Sequence, residues 1–368
     1  MLNSELLAIV LAGGRGTRLN GLTDNKVKPM ISFAGSYKII DFVLSNCQNS
    51  GIKQIGITIQ YKPISLIKYI GSGSPWGYDI CSSLSILPPY CNDETVWYSG
   101  TANSIFQNIE FINESNSDNV LILPSDHIYQ MNYNELIKFH IDNNSECTIV
   151  TTCVEKNDAN KLGILEIDAD NRVLTFQEKP QKPKSNLASM GIYLFKKSVL
   201  LDILTTYCGE KGSKDFGADL IPKIIDTCKI FAYRFDAYWK DVGTIEDYWE
   251  SNMDFINNPL PLNLNSIKSR NYNLPSSQIL NNGVVKNSIV APGSKIFGKV
   301  INSIISPGVI IESDAIVKNS IILNNVIIRS NTRIIKSIID ENVIINNANK
   351  SPNPNILDLI NQTEQLIN

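Results

Sequence analysis

The C-terminal part of the chain repeats one short pattern, in which a polar residue and a serine are followed by two aliphatic residues. The four copies begin at residues 286, 301, 318 and 335, which gives steps of 15, 17 and 17 residues. A period of about 17 divides into three faces of five or six residues, typical of a hexapeptide-type parallel β-helix. We predict a left-handed parallel β-helix, with Ile304, Val309 and Ile316 among its inward aliphatics. A β-sandwich is the alternative, but its strands recur about every 8 to 12 residues without this triplet spacing.

Residues 1–256 follow a different rhythm, in which apolar runs alternate with longer mixed segments. Such runs are predicted strands of a Rossmann-like α/β domain with a buried, mostly parallel sheet. They lie at residues 7–11, 54–59, 120–123 and 147–150. Residues 37–47 have helical apolar spacing and Gly51 stops that helix, so the order is strand, helix, strand.

The two patterns are separated by an Asn-, Ser- and Pro-rich stretch at residues 257–277, which we predict to be a linker. The β-helix is predicted over residues 278–349. The remaining tail, residues 350–368, is predicted to form a capping helix over the open end of the solenoid.

The composition of the chain limits the partners and the kinds of catalytic or metal site that it can have. The 33 basic and 36 acidic side chains leave a net charge of -3, so no global field favours nucleic acid or an acidic membrane. The sequence contains no apolar run of about 18 residues and its first residues lack a basic signal, so we expect a soluble, cytoplasmic protein. Seven scattered cysteines and two histidines argue against a disulfide scaffold or a multi-histidine zinc site. The remaining candidates for chemistry are carboxylates, amines, guanidiniums and backbone groups.

The loop after the first predicted strand is rich in glycine and arginine. Glycines let backbone N–H groups approach a phosphate, and arginines add charge-assisted hydrogen bonds. The loop holds Gly13, Gly14, Arg15, Gly16, Thr17 and Arg18. It is neither a Walker loop nor a dinucleotide fingerprint, because the expected Gly-Lys-Ser/Thr and third glycine are missing. Lys28-Pro29 follows, with a mobile positive charge beside a fixed chain direction.

Taken in order, these segments and several later ones give the chain a specific likeness. The segments are GGRGTRL (13–19), KP (28–29), YKIIDF (37–42), WYSGTAN (97–103), SDHIY (125–129), FQEKP (176–180), ASMGIY (188–193) and YWKDVGT (238–244). With them the chain resembles the sugar-1-phosphate nucleotidyltransferases and, within these, the bacterial glucose-1-phosphate adenylyltransferases, also called ADP-glucose pyrophosphorylases. The likeness covers residues 8 to about 255, and the β-helix extends it to about 347.

The resemblance implies a reaction and its cofactor. The phosphate of α-D-glucose 1-phosphate attacks the α-phosphorus of ATP, and ADP-glucose and pyrophosphate are released, the glucosyl-donor step of glycogen and α-glucan synthesis. Asp126 is predicted to lie at the carboxyl end of a strand, where open α/β sheets bind ligands. By the resemblance, Asp126 and Asp241 hold Mg²⁺.

The resemblance also assigns the remaining site residues. Arg18 and Lys28, with Asp126, form the catalytic group, the two cations neutralising the phosphates of ATP. The nucleotide is expected at Gly13, Gly14, Gly16, Thr17, Tyr98 and Gly100. The sugar phosphate is expected at Gly163, Glu178, Lys179 and Ser189, where Lys179 grips the phosphate and Glu178 accepts hydrogen bonds from the sugar.

Three alternatives stay open at this point. In the first alternative, the chain is a non-catalytic regulatory subunit with the same fold. Against this, the sequence retains the candidate site residues Arg18, Lys28, Asp126, Lys179 and Asp241. In the second, the chain is an enzyme of the same reaction class that uses another nucleoside triphosphate or sugar phosphate. In the third, the β-helix also serves assembly. The family is typically tetrameric, which predicts a homotetramer or a heterotetramer with a related subunit.

Residues 25–27 and 34–36 are less basic than in regulated relatives, which weakens the case for activation by sugar bisphosphates.

Overall fold

The computed structural model describes residues 6–14, 16–78, 83–89, 97–209, 212–257, 259–270, 273–346 and 357–361. The predicted phosphate contact of Arg15 therefore lies outside the described residues. The chain forms two compact units. The first comprises Met1–Gly14, Val43–Ser125 and Gln130–Ala237, and the second comprises Arg15–Phe42, Asp126–Tyr129 and Tyr238–Asn368.

Strands and helices alternate up to residue 253. The strands are β1 (Leu6–Leu11), β2 (Ser32–Phe33), β3 (Tyr37–Lys38), β4 (Gln54–Thr58), β5 (Ser83–Leu87), β6 (Asn119–Pro124), β7 (His127–Tyr129), β8 (Cys147–Cys153), β9 (Gly163–Ile167), β10 (Val173–Glu178), β11 (Leu187–Lys196), β12 (Ile230–Arg234) and β13 (Trp239–Asp241). The helices are α1 (Ile39–Asn49), α2 (Pro63–Ile70), α3 (Thr101–Phe106), α4 (Ile109–Glu114), α5 (Tyr133–Asp142), α6 (Lys197–Tyr207), α7 (Ile221–Ile224) and α8 (Ile245–Met253).

Two 3-10 turns, Asp254–Ile256 and Leu264–Ser266, lead into a C-terminal region whose described elements are short strands. They are β14 (Gln278–Ile279), β15 (Val284–Lys286), β16 (Ile289–Val290), β17 (Lys295–Ile296), β18 (Lys299–Ile301), β19 (Ile304–Ile305), β20 (Ile310–Ile311), β21 (Ile316–Lys318), β22 (Ile321–Ile322), β23 (Ile327–Ile328), β24 (Arg333–Ile335), β25 (Ser337–Ile339), β26 (Ile344–Ile345) and β27 (Asp358–Ile360).

The first unit is built on one sheet whose central strands are buried on both faces. Its strand order is β10-β9-β11-β6-β1-β4-β5, and β8 pairs with both β11 and β12. The β5-β4-β1-β6 segment is parallel, as is the β8–β12 pair, and the four apolar runs that predicted strands form β1, β4, β6 and β8. β11 runs antiparallel to β6, β8 and β9, a direction that its apolar pattern did not reveal. The predicted α/β fold is confirmed.

The helix predicted at residues 37–47 is α1, which begins two residues later because Tyr37 and Lys38 form β3 instead. Lys38 donates its backbone N–H to the Asp41 carboxylate at 2.8 Å, which caps the helix start. At the other end Gly51 has φ +74°, and Ile52 donates to the Cys47 carbonyl at 3.0 Å. A left-handed residue here closes the last turn, and glycine adopts it without steric cost.

The second unit contains the repeat, which winds as three parallel sheets. Their orders are β14-β17-β20-β23-β26, β15-β18-β21-β24 and β16-β19-β22-β25-β27. The interior is a stack of aliphatic side chains that includes Val309 and Val317. Val309 points inward as predicted, but the predictions for Ile304 and Ile316 are wrong: Ile305 and Val317 belong to the interior cluster in their places. Two adjacent aliphatics on one strand differ only in the direction of the pleat, which composition does not encode.

A hydrogen-bonded serine ladder explains the repeated motif. The residue before each serine has φ between 45° and 51°, a left-handed turn that asparagine tolerates well. Each serine hydroxyl donates to the carbonyl two residues earlier at 2.8–2.9 Å. The hydroxyls of the first three also accept the backbone N–H of the next serine at 3.0–3.1 Å. The ladder consists of Ser288, Ser303, Ser320 and Ser337.

The sheet that contains β19, β22 and β25 is buried on both faces, which is why its strands read as aliphatic pairs. Ile322 and Ile339 point into the solenoid. Ile321 and Ile338 point outward into a second cluster that includes Phe33 and the rest of an aromatic group from residues 31–42 and 242–255. The solenoid is therefore a platform for the N-terminal segment of the same unit.

The described part of the C-terminal tail differs from its prediction. In the tail, the described residues 357–361 contain β27, which pairs in parallel with β25, so this part is a strand and not the predicted helix; the rest of the tail lies outside the described residues. An edge strand offers unpaired backbone groups, and another strand satisfies them where a helix does not.

The predicted division of the chain into residues 1–256, 257–277, 278–349 and 350–368 stays a prediction. Within the described residues, no helix is long and apolar enough to cross a membrane.

Ser320→Ala is expected to lower the free energy of unfolding by about 1–3 kcal/mol, because it leaves the buried Ser337 N–H without its acceptor. Urea unfolding of the full chain measures this. The matched control is Ser313→Ala, at an exposed serine of the solenoid outside the ladder, which is expected to cost less. Equal costs at the two positions would show that the ladder contributes nothing specific.

The buried side chain of His140 is expected to make the free energy of unfolding fall as the pH is lowered. Burial, with a smaller contribution from the charge of Lys196, lowers the pKa of His140 to about 4. The unfolded chain takes up this proton near pH 6.5 and the folded chain resists it, so stability falls with pH between about 6.5 and 4. We expect His140 to account for about 2 kcal/mol of the difference in unfolding free energy between about pH 7 and pH 5. His140→Gln serves as the comparison, and an unchanged pH dependence in that variant would rule out the assignment.

Candidate active site

A two-stranded ribbon in the second unit brings together side chains from two distant parts of the sequence. β7 and β13 are antiparallel, and their register sets Asp241 directly opposite His127. Asp126 precedes β7 by one residue. One ligand atom from each of Asp126, His127 and Asp241 lies within 4.8 Å of the others. The convergence predicted for Asp126 and Asp241 is therefore present in the folded chain.

Lys28 places its ammonium between the two carboxylates. Nζ lies 2.8 Å from Asp126 Oδ2 and 3.1 Å from Asp241 Oδ1. Burial alone would lower the pKa of Lys28, but the two carboxylates outweigh it and the pKa is raised. Burial alone would likewise raise the pKa of Asp126, whereas the charge of Lys28 holds it well below its usual range. Lys28 and Asp126 are therefore both charged at neutral pH.

Backbone features fix this cluster. Lys28 begins a 3-10 turn, Lys28–Met30, in which Pro29 is the second residue. Gly16 has φ +64°, and a methyl group there would lie 3.1 Å from Lys28 Cβ, so glycine is needed for both conformation and space. After Asp241, the side chain of Thr244 accepts from the Asp247 N–H at 3.1 Å and completes a capping box that starts α8.

Arg18 lies in the same unit as the carboxylates, on the 3-10 helix Thr17–Thr23. Its side chain is exposed, and its guanidinium lies against Gly243, where an added methyl group would come within 3.4 Å of Nη1. Thr17 is also exposed. The glycine loop thus supplies one cation beside the strand end that carries Asp241.

A second, more buried charge cluster ties the segment around Lys28 to the solenoid. Lys26 Nζ lies 3.3 Å from Asp340 and 3.1 Å from Glu341, and Lys38 Nζ lies 3.2 Å from Glu341. Lys38 also donates to Ser32 Oγ at 2.8 Å. Burial lowers the pKa of Lys38, although the Glu341 carboxylate partly opposes it. Two lysines and two carboxylates thus brace the chain on both sides of Lys28.

In the first unit, the predicted nucleotide residues are Gly13, Gly14, Tyr98 and Gly100. The Tyr98 backbone N–H donates to Gln60 Oε1 at 2.7 Å, and Gln60 Nε2 donates back to the Tyr98 carbonyl at 3.3 Å. A methyl group at Gly13 would lie 3.5 Å from Gln60 Cβ and 3.9 Å from the Tyr98 ring, whereas at Gly14 it would meet nothing within 4 Å. Gly14 thus leaves open space beside the loop.

Gly100 requires a close backbone approach. An added methyl group would lie 2.5 Å from the Lys214 carbonyl oxygen. Thr101, the first residue of α3, donates its N–H and its hydroxyl to Asp215 at 3.1 and 3.0 Å. The segment after Gly100 is therefore fastened to residues 214–215, more than a hundred positions later in the chain.

The same later segment reaches the predicted sugar-phosphate group. The Glu178 carboxylate is flanked by two glycines, since a methyl group would lie 3.1 Å from it at Gly163 and 2.7 Å at Gly217. Lys179 forms a 3.0 Å ion pair with Glu178, and its side chain is 59% exposed. Its φ of 45° marks a turn at the end of β10 that directs this cation outward.

Ser189 lies on β11 and is buried, with its hydroxyl accepting the Gly191 N–H at 3.1 Å. Burial raises the pKa of Tyr193, an effect that the Ser189 hydroxyl opposes and the Glu178 charge adds to. Ser189, Tyr193 and Glu178 therefore belong to one polar group on the sheet.

Several residues of these groups were not singled out from sequence. They are His127, Trp239, Tyr193, Asp215 and Gly217. Three of them stand inside motifs that pointed to neighbouring positions, so a signal existed without a role. Residues 215 and 217 carried no signal, because only the fold brings them to Gly100 and Glu178.

The donor set of the acidic pair fits a hard divalent cation. Two carboxylates supply the oxygens that such ions prefer, and the ammonium between them shows that the site attracts positive charge. One oxygen from each carboxylate lies within 4.8 Å of the other, close enough for both residues to hold one ion.

Comparison with known proteins places the chain in a family. The sequence model of the nucleotidyl transferase family matches residues 7–258, and that of the GlmU-like C-terminal hexapeptide matches residues 275–350. Similar curated proteins are named glucose-1-phosphate adenylyltransferase. The protein of Thermosipho africanus (strain TCF52B) is 45% identical over 321 residues, 85% of this chain and 78% of the relative. Those of Clostridium acetobutylicum (strain ATCC 824) and Clostridium novyi (strain NT) are 46% and 43% identical over 325 residues, 86% of this chain and 86% and 85% of theirs.

These matches confirm the predicted fold class, an α/β nucleotidyltransferase domain followed by a parallel β-helix of hexapeptide type. Enzymes of this kind generally use a divalent metal ion, in agreement with the donor set described above. The chain belongs to the nucleotidyl transferase family and, within it, to the glucose-1-phosphate adenylyltransferases.

Proposed function

We propose that the chain transfers the adenylyl group of ATP to α-D-glucose 1-phosphate, giving ADP-glucose and pyrophosphate for glycogen or α-glucan synthesis. The observation that carries the proposal is the convergence of Asp126 and Asp241 on Lys28 within the fold of this family. A phosphate oxygen of glucose 1-phosphate forms a bond to the α-phosphorus, and the bond from that phosphorus to the β-phosphate oxygen breaks. Negative charge builds up on the transferring and leaving oxygens, so catalysis rests on positioning and cations.

The second unit supplies the charge. Asp126 and Asp241 would hold Mg²⁺, which when bound neutralises phosphate charge and polarises the α-phosphorus. Lys28 stays protonated between the two carboxylates, because both raise its pKa. The side chain of Arg18 is exposed beside Gly243, and its guanidinium would bind phosphate oxygens of ATP. Gly16 and Thr17 would lie along the same phosphates.

The first unit supplies recognition. Gly13, Gly14, Tyr98 and Gly100 would hold the nucleotide, with Gly14 leaving open space beside it. In the second group, Lys179 would grip the sugar phosphate, supported by Glu178 in its glycine-flanked position. Gly163 makes room for the Glu178 carboxylate, and Ser189 completes the polar group through Tyr193.

The assembly and surroundings of the enzyme belong to the same proposal. The solenoid has flat parallel-sheet faces that suit packing against other subunits, which favours a homotetramer or a heterotetramer with a related subunit. A cytoplasmic location and the absence of nucleic-acid and membrane partners stay predictions. Mass measurement across a range of concentrations tests the assembly, and a monomer throughout would remove it.

The activity is tested with the purified chain alone, ATP, glucose 1-phosphate and Mg²⁺, by release of pyrophosphate. Parallel reactions replace ATP by GTP or UTP, and glucose 1-phosphate by other sugar phosphates. We expect the highest kcat/KM with ATP and glucose 1-phosphate. No turnover with any pair, with or without candidate activators, would support the regulatory-subunit alternative, and a better pair would correct the substrate.

Asp126→Asn is expected to lower kcat at least about a hundredfold, because the change removes a charge at the transition state with little change in volume. The matched control is Asp314→Asn, at an exposed left-handed turn of the solenoid where asparagine is well tolerated. Circular dichroism checks the fold of both variants. Full activity of the Asp126 variant would remove this carboxylate from the mechanism.

Lys179→Ala is expected to raise the KM for glucose 1-phosphate about tenfold or more, as loss of one charge-assisted hydrogen bond predicts, and to change the KM for ATP much less. Lys182→Ala, at an exposed lysine three positions further along, is the matched control. Initial-rate kinetics in both substrates separate the effects, and equal rises in the two KM values would contradict a role at the sugar phosphate.

A further inference from the structure

The indole of Trp239 determines which nitrogen of His127 carries a proton. Trp239 Nε1 donates to His127 Nδ1 at 3.3 Å, and the two rings meet edge to face with centroids 5.3 Å apart. An indole N–H is only ever a donor, so Nδ1 must accept and carries no proton. A neutral imidazole without a proton on Nδ1 has it on Nε2.

The β7–β13 ribbon holds this pair in place. The register pairs Trp239 with Tyr129 and Asp241 with His127. Residues two apart on a strand point to the same face, so Trp239, Asp241 and His127 share one face of the ribbon. His127 has a side-chain exposure of 12%, which leaves it little freedom to turn away from Trp239.

The other nitrogen of His127 faces the acidic pair without bonding to it. Nε2 lies 3.7 Å from Asp126 Oδ1 and 3.8 Å from Asp241 Oδ1, beyond hydrogen-bond length in both cases. Nε2 is therefore almost equally distant from the two carboxylates. A metal ligand would need an unprotonated Nε2 with a free lone pair, and the Trp239 hydrogen bond assigns the proton to that atom.

We infer that His127, although it stands among the candidate metal-ligating groups, is not a ligand of the divalent ion but a fixed N–H donor. From Nε2 it donates to an oxygen held at the acidic pair, either of a phosphate or of water, and Trp239 is the positioning residue that keeps it in this tautomer. The inference rests on the proposed function for the presence of the ion. The tautomer itself does not depend on that function.

His140, the second of the two histidines in the chain, provides an internal reference. Its Nδ1 lies 2.8 Å from Thr148 Oγ1, and the Thr148 hydroxyl donates to Ser145 Oγ at 3.0 Å. The Thr148 oxygen therefore accepts from His140, which places the His140 proton on Nδ1. The two histidines are expected in opposite tautomers.

The tautomers are read by long-range ¹H–¹⁵N NMR of the full chain labelled with ¹⁵N-histidine, without metal and at one neutral pH. One imidazole is expected to be protonated on Nε2 and the other on Nδ1, and His127→Gln assigns the signals. Trp239→Phe is expected to leave His127 as a mixture of tautomers, whereas Trp249→Phe, which removes an indole N–H that binds the Asn319 carbonyl, changes nothing at His127. A proton on Nδ1 of His127, or no response to Trp239→Phe, would overturn the inference.

The coordination claim is tested by Mn²⁺ binding to the full chain, followed by electron paramagnetic resonance of the free ion. Glutamine at position 127 keeps an N–H but has no imidazole lone pair, so His127→Gln is expected to bind Mn²⁺ within about threefold of the unchanged chain. Asp241→Asn, which removes a proposed ligand charge, is expected to weaken binding more than about tenfold. Equal losses in the two variants would make His127 a ligand and overturn the inference. If the unchanged chain binds no Mn²⁺, the proposed metal site fails and the donor role fails with it, while the NMR result stands separately.

Discussion

Two carboxylates that lie 115 positions apart in the sequence, Asp126 and Asp241, meet around one ammonium group. Like charges this close repel, and the folded chain tolerates the pair only because a cation lies between them. Lys28 supplies that cation from a third part of the sequence. Much of the second unit is arranged so that these three side chains arrive at one point.

The solenoid contributes to this arrangement through two contacts within its unit. The outward isoleucines of one sheet bury Phe33 and its aromatic neighbours, which fixes the segment that follows Lys28. The pair Asp340 and Glu341, at the end of a solenoid coil, binds the lysines on either side of that segment. A repeat that looks purely architectural in sequence thus also helps to position Lys28. Deleting a coil would therefore alter the candidate active site, although that site lies far from the deleted residues in sequence.

The sequence was most informative where one physical rule governs many residues. The period of the repeat predicted parallel coils because each coil must stack on the next, and apolar runs predicted the strands of the first unit. It was least informative where two choices share one composition. Ile316 and Val317 differ only in pleat direction, and the tail had too few residues to distinguish a strand from a helix. The direction of β11 is likewise set by its neighbours in the sheet.

The candidate site follows the same division. Motifs identified Lys28, Asp126 and Asp241 individually, but only the ribbon register and the 3-10 turn at Lys28 explain why they meet. The hydrogen bond from Trp239 to His127, and the link from Gly100 through residues 214–217 to Glu178, join residues whose local sequence carries no trace of each other. Tertiary structure creates such contacts, and a single sequence does not display them.

A crystal structure of the chain with Mn²⁺ and a non-hydrolysable ATP analogue would show whether Asp126 and Asp241 hold the metal ion. We expect an anomalous difference peak bonded to oxygens of Asp126 and Asp241 and to phosphate oxygens of the nucleotide, with the Lys28 ammonium displaced toward the phosphates. A peak bound elsewhere, with Lys28 still paired to both carboxylates, would contradict it.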